Sequence, residues 1–398
     1  MLVKLDLNPS AILTESPQWK TLTGLGDSLH RWALDHALPL WANTGCSPDG
    51  GFYEKIDQNG DPVTLPRRGR VTPRQLYCFA IAGELGWTGP WPSILDRQLA
   101  TYLTQFFRPD GQIYALIGRD GQVLDEGPSL YDQAFGMFAL AIVRRIEPSR
   151  LDLEARAKRQ LLALQARQGR LDGGFEETAP PSQPLQSNPH MHLFEACLAW
   201  AAVSQDPIWA SQADAIAELC LDKFINPGTG AVHEFFDGQW QRIPGLEGQK
   251  WEPGHQLEWG WLLLQWGLAR NRPLAVVAAD RMITLAEAHG VDKDRDVAVN
   301  ILLDDLSVLD GQARLWPQTE RLKANLLLAQ ITNNPAHLGG AIGAAQAILR
   351  YLEVQVPGLW YDRMSEDGAF IEEAAPASSF YHILCAVLEL RRAVLLGA

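Results

Sequence analysis

The sequence predicts an all-α fold, an (α/α)6 barrel of six helix hairpins, and three observations predict it. Six helix starts recur at nearly even intervals. Six amphipathic stretches alternate with them. Each of those stretches ends in a short turn rich in Gly, Asp and aromatic residues. A fixed repeat decides the whole fold, because one helix pair cannot bury its apolar face alone and must stack on its neighbours.

The helix starts are Thr72-Pro73, Ser129, Asn188-Pro189, Glu252-Pro253, Trp316-Pro317 and Ser378-Ser379. From position 73 through 129, 189, 253, 317 and 378 the steps are 56, 60, 64, 64 and 61 residues. Proline at the first helical position, or a small polar residue just before it, suits the unpaired N–H groups of a first turn. Asn188 reads as such an N-cap. The other helical stretches, at 22–42, 91–107, 151–168, 208–224, 274–289 and 336–353, carry apolar residues at 3.6-residue spacing. They end in turns at 48–52, 109–113, 171–175, 227–231, 300–304 and 357–360.

The helix after each turn is the more apolar one, as in LYDQAFGMFALAIV, HLFEACLAWAAV and LEWGWLLLQWGLA. Helices apolar nearly all round are buried, so these six form the inner ring. They run parallel, with their N-termini at one mouth, where the turns sit as short strand hairpins. No linker or low-complexity segment interrupts residues 1–398, which read as a single domain.

A net charge of −13 argues against nucleic acid or an anionic membrane surface as a partner. The most apolar runs, 135–143 and 259–264, are too short to span a bilayer. The N-terminus lacks the pattern of a secretory signal. Five scattered cysteines fit reduced thiols in a cytoplasmic protein. No Gly-rich nucleotide motif is present, so no cofactor is expected. The 14 tryptophans fit either a sugar cleft or helix packing. Trp251 and Trp316, beside polar helix starts, favour the cleft.

Three starts carry a histidine in the first turn or just beyond it: His192, His255 and His382. A lone histidine on an apolar helix is more often a core residue, but three at equivalent points of a repeat build a site. Residues three or four apart share a helix face. Asn188, His192 and Glu195 therefore point one way, and His255 meets Glu258. A carboxylate beside an imidazole fixes its tautomer and favours its protonated form. Helix N-termini instead favour neutral imidazole and stabilise oxyanions, and neutral histidine is a competent base for a carbon acid beside a carbonyl. The other starts add Arg74, Tyr131, Trp316 and Glu320. Arg74 is suited to a carbonyl or hydroxyl oxygen. Arg67, Arg68 and Arg70 read as surface arginines on a loop over the mouth, with phosphate binding as a minor reading. Three histidines with Glu258 offer donors to a divalent metal, but at no diagnostic spacing, and no metal is expected.

Taken together and in order, TPRQLYCFA, NPHMHLFEA, EPGHQLEW, LWPQTE and SSFYHI resemble the N-acylglucosamine 2-epimerase superfamily, over almost the whole chain. The short, undecorated chain and NPHMHL are closest to its mannose-isomerase branch. The resemblance implies an (α/α)6 barrel working without metal or nucleotide. It implies His382 as the base that moves the C2 proton, His255 as the second acid/base, and His192 with Asn188 as sugar contacts. Arg74 would hold the carbonyl oxygen, Glu258 would pair with His255, and Trp316 and Tyr131 would line the cleft. Ser378 stands where sulfoquinovose isomerases are expected to carry an amide, which argues against sulfonate recognition.

The expected activity is interconversion of D-mannose and D-fructose, with D-lyxose and D-xylulose as a related pair, through a cis-enediol. A monosaccharide is the expected partner, and a homo-oligomer is compatible with the sequence. A 2-epimerase of mannose, N-acylglucosamine or cellobiose type is the alternative. An inverting glycoside hydrolase would need two separated carboxylates, drawn from Glu176, Glu258 and Glu320. A non-catalytic sugar-binding protein is the remaining reading.

Overall fold

The computed structural model describes residues 11–396. After a single turn, α1 (Ala11–Thr14), the outer helix α2 (Pro17–Trp32) runs through a π-helical turn (Ala33–Ala37) into α3 (Leu38–Asn43). The inner helix α4 (Val71–Ala82) follows, and outer and inner helices then alternate. The pairs are α5 (Trp91–Gln105) with α6 (Leu130–Ile146), α7 (Leu151–Gln168) with α8 (Ser187–Ala201), and α9 (Pro207–Leu219) with α10 (Pro253–Ala269). The last two are α11 (Pro273–His289) with α12 (Leu315–Thr332), and α13 (Pro335–Tyr351) with α14 (Ala377–Leu396).

Outer and inner helices differ as their sequences predict. On α7 the buried residues form one stripe, Leu153, Ala157, Leu161, Leu164 and Gln168. On α4 every residue is buried, and on α12 every residue from 315 to 329. The ring closes because α4 packs on α6, α6 on α8, α8 on α10, α10 on α12, α12 on α14, and α14 back on α4. Most tryptophans turn out to be mortar for this ring. Trp41, Trp200, Trp209, Trp251, Trp259, Trp261, Trp266 and Trp360 are fully buried, and the stacked pair Trp200–Trp209 ties α8 to its outer helix α9. Among the described residues no helix is long and apolar enough to cross a membrane.

Short antiparallel strands join neighbouring repeats at the mouth. Lys55–Ile56 pairs with Pro62–Val63 and with Ala375–Pro376. Arg67–Arg68 pairs with Leu116–Ile117, and Leu185–Gln186 with Phe235–Phe236. The fifth connection departs from the short turn expected at 300–304. It is a long hairpin, Val297–Leu302 against Val308–Arg314, whose β-branched residues Val297, Val299 and Ile301 alternate as strands require.

These strands also move the helix starts. The first N–H of α8, α12 and α14 donates to the carbonyl of Glu234 (3.2 Å), Asp362 (3.0 Å) and Glu54 (2.9 Å) respectively. A neighbouring strand segment thus satisfies an N–H that a side-chain cap would otherwise take. The helices accordingly begin one or two residues early, and Asn188 is not an N-cap. Gln186 holds that position, and Asn188 lies inside α8. Two starts stand as expected: α10 has Glu252 at its N-cap and Pro253 first, and α6 has Ser129 Oγ accepting from the Asp132 N–H at 3.1 Å. Asn188 and Ser378, freed from capping, face the barrel mouth.

Candidate active site

At that mouth lies a cavity of about 270 Å3, near the small end of ligand pockets (about 300–1,000 Å3). Eight of the nine predicted site residues line it: the three histidines, Arg74, Tyr131, Asn188, Glu258 and Trp316. The ninth, Glu320, is fully buried behind His382. It is a partner of the histidine rather than a wall of the cavity.

His255 and His382 both pack near the Trp316 ring, their ring centres 5.2 and 5.5 Å from it. Their surroundings differ. His255 Nδ1 lies 3.0 and 3.1 Å from the two Glu234 oxygens and 3.6 Å from Glu252. Burial alone would push this imidazole down, but the two carboxylates outweigh it and hold it at about 10. His255 is therefore held as an imidazolium at neutral pH. His382 Nδ1 lies 2.9 Å from Glu320 Oε1, and Glu320 Oε2 is ion-paired at 2.6 Å to the buried Lys323. Here burial prevails over the pull of Glu320, and His382 falls below the usual histidine value. Burial works against the Glu320 carboxylate, but Lys323 and His382 outweigh it and hold its carboxyl below the usual value.

The expected pairing of His255 with Glu258 does not occur. The imidazole faces back to Glu252 and across to Glu234, not forward along α10. Glu258 Oε1 instead approaches His192 Nδ1, at 3.9 Å. Burial and the nearby Glu320 push the Glu258 carboxyl well up, and its Oε1 has no hydrogen-bond partner. His192, pushed well down by burial and by Arg74, packs edge-on to Tyr131 at 4.9 Å. Glu195 sits a turn deeper at 3.4 Å from His192, where it accepts the Tyr381 hydroxyl rather than reaching the cavity. Arg74 donates to the Tyr131 hydroxyl at 2.5 Å and lies 3.8 Å over the Phe135 ring. Its Nε is buried and has no hydrogen-bond partner.

Trp251 is displaced from the cleft. It is buried with Val299 and Leu302 and donates to the Leu303 carbonyl at 3.0 Å. Arg67 is buried too, bonded to Asp49 at 2.8 Å, whereas Arg68, Arg70 and Arg314 line the cavity. Sequence reasoning missed Glu234, Lys323 and Arg314. For Glu234 a signal existed: a carboxylate next to the aromatic pair Phe235-Phe236, in the connection that leads to the second histidine helix.

The glycoside-hydrolase geometry is not met. Glu258 and Glu320 present oxygens within 4.8 Å of each other, closer than the about 6.5–9.5 Å an inverting pair needs. Glu176 is ion-paired to Arg170. His192–Glu195–Glu258, Glu234–Glu252–His255 and Glu258–Glu320–His382 each group three donor atoms within reach of one ion. In each, a histidine Nδ1 already faces a carboxylate.

Residues 51–386 match the N-acylglucosamine 2-epimerase family. The chain is 46% identical over 366 residues to a mannose-6-phosphate isomerase of Rhizobium meliloti, covering 90% of this chain and 95% of that one. It is 27% identical to a D-mannose isomerase of Thermobifida fusca, over 77% and 80% of the two chains. Its fold matches a solved D-mannose isomerase (TM-score 0.83, 20% identity, 93% and 97% covered). It also matches a cellobiose 2-epimerase from Bacillus thermoamylovorans (TM-score 0.84, 17% identity, 93% and 100% covered). The chain belongs to the N-acylglucosamine 2-epimerase family.

Proposed function

We propose that this sugar isomerase interconverts D-mannose and D-fructose by proton transfer between C1 and C2, without a metal or nucleotide, in the cytoplasm. The observation that carries the reading is the unequal histidine pair beside Trp316: a neutral imidazole at 382 and an imidazolium at 255. The relatives from Rhizobium meliloti and Thermobifida fusca, named as isomerases of mannose 6-phosphate and of mannose, support the choice of sugar.

In the open-chain aldose C1 is a carbonyl and C2 carries a proton and a hydroxyl. His382 keeps Nδ1–H on Glu320, which leaves Nε2 as a lone pair. That nitrogen takes the C2 proton, and the electron pair forms the C1–C2 double bond as the carbonyl π pair moves onto O1. Arg74 lies ready to hold the developing oxyanion. His255, an acid, gives O1 a proton to complete the cis-enediol. His255, now neutral, takes the O2 proton as the C2–O2 π bond forms, and the proton held by His382 passes to C1, which gives the ketose and restores both histidines. His255, His192 and the unpaired oxygens of Asn188 and Glu258 remain to bond the sugar hydroxyls.

Incubation with mannose and resolution of the products tests this. Fructose is the expected product. Glucose without fructose would make the chain a 2-epimerase, with the proton returned to the opposite face of C2. Activity lost in EDTA and restored by Mn²⁺ would overturn the metal-independent reading.

A further inference from the structure

The chain has 47 acidic residues against 34 basic ones, yet the cavity lining reverses that balance, with four arginines and two glutamates. Arg74 is deep and 5% exposed, placed for the reacting oxygen. Arg68, Arg70 and Arg314 form an outer tier. Two of them are held there by buried carboxylates. Glu54 takes the Arg68 Nε–H at 2.6 Å and its backbone N–H at 2.8 Å, and Asp132 takes Arg70 Nη1 at 3.2 Å. These contacts leave the remaining N–H groups of both guanidiniums unused. Arg314 is exposed, and among the described residues its guanidinium has no hydrogen-bond or ion-pair partner, while its backbone carbonyl accepts from Gln318 Nε2 at 2.9 Å. Its guanidinium lies 5.7 Å from the Trp316 ring.

Arg68 and Arg314 flank the start of α14. Glu54, which holds Arg68, accepts the Ala377 N–H, and the residue after Arg314 bonds Asp362, which also accepts the Ser379 hydroxyl at 2.5 Å. Ser378 and Ser379 line the same cavity, and the N-terminus of this 20-residue helix adds partial positive charge. Neutral hydroxyls do not call for three guanidiniums at one rim. Their planar forks match the oxygens of a phosphoryl group. A hexose held with C1 and C2 at the histidines shares its cavity with these three arginines.

We propose that Arg68, Arg70 and Arg314, with the start of α14, form a subsite for a phosphoryl group on the carbon farthest from the reacting carbonyl, so that the preferred substrate is a hexose 6-phosphate. This rests on the isomerase reading above and fixes its substrate class. The test compares kcat/KM for mannose and mannose 6-phosphate in the wild type, Arg314→Gln and Arg314→Lys, alongside calorimetric binding of inorganic phosphate and mannose 6-phosphate. Wild type is expected to favour the phosphorylated sugar. Arg314→Gln is expected to cut that preference about tenfold or more, mainly through KM, because bonds to charged groups are the strong ones. Arg314→Lys is expected to restore part of it. Equal kcat/KM for the two sugars in wild type, or a preference unchanged by Arg314→Gln, would overturn the subsite. Should neither sugar turn over, the isomerase reading fails on its own. Phosphate binding weakened by Arg314→Gln would then still support the subsite, and no phosphate binding would overturn it.

Discussion

His255 and His382 both lie near the starts of inner helices, face the same cavity and pack near the same indole, yet they are driven in opposite directions. Two carboxylates crowd His255 and together outweigh its burial. One carboxylate serves His382, and Lys323 claims its other oxygen. The local balance of charge, not the residue type or its place in the repeat, makes one an acid and the other a base. It also sets a pH window. The His382 imidazole must be neutral and the His255 imidazolium charged. kcat/KM should therefore rise with pH through a value below 6.5, hold across neutrality, and fall towards about pH 10. A profile that falls already at neutral pH would break the assignment.

The largest expected effect is at the base. His382→Ala should lower turnover roughly 10³-fold and abolish exchange of the C2 proton with deuterated solvent. Exchange at the wild-type rate would remove His382 from the reaction. Next comes its counterion chain. Lys323→Met leaves Glu320 buried without its cation, which should cost about 3–5 kcal/mol of stability, measured by denaturant unfolding. In whatever fraction folds, His382 loses the cation that helps hold it down, so its pKa rises. The acidic limb of the pH profile should move to higher pH. A purely structural Lys323 would lower stability and leave that limb in place.

The fold was legible because the repeat is written locally. Prolines at 73, 189, 253 and 317 mark four inner helices, and the apolar excess of those helices marks them as buried. The histidines, Arg74 and Trp316 were legible for the same reason, since each lies within about a turn of a visible start. What escaped the reading is long-range. Glu234 reaches His255 only because Phe235–Phe236 pairs with Leu185–Gln186, a register that no helical period contains. The same strands took over the capping, which is why Asn188 was misplaced. Lys323 reads in sequence as a solvated side chain. Its burial against the Trp261 ring, 4.0 Å from the ring centre, follows from a carboxylate cluster assembled by three helices. Arg314 ends the second strand of a hairpin where the sequence suggests only a short turn at 300–304.

The smaller effects lie on the His255 side, where two substitutions separate contact from proximity. Glu234 gives His255 Nδ1 a direct hydrogen bond at 3.0 Å and is itself buried. Glu252 lies at 3.6 Å, partly exposed, and acts through charge alone. Water screens a partly exposed charge more than a buried one. Both Glu234→Gln and Glu252→Gln remove a group that raises the imidazole, so both should move the basic limb to lower pH. Glu234→Gln should move it further and also lower the plateau, because the Nδ1–H partner that orients the ring is weakened. Glu252→Gln should move the limb less and leave the plateau within a few-fold of wild type, since the Glu234 bond persists. Measured pH profiles of kcat/KM for the two variants decide the matter. Equal shifts would mean that summed charge alone sets the acid. A larger shift for Glu252→Gln would mean that the imidazole turns to its helix neighbour when substrate binds, and the contrast between the two histidines would have to be redrawn around Glu252.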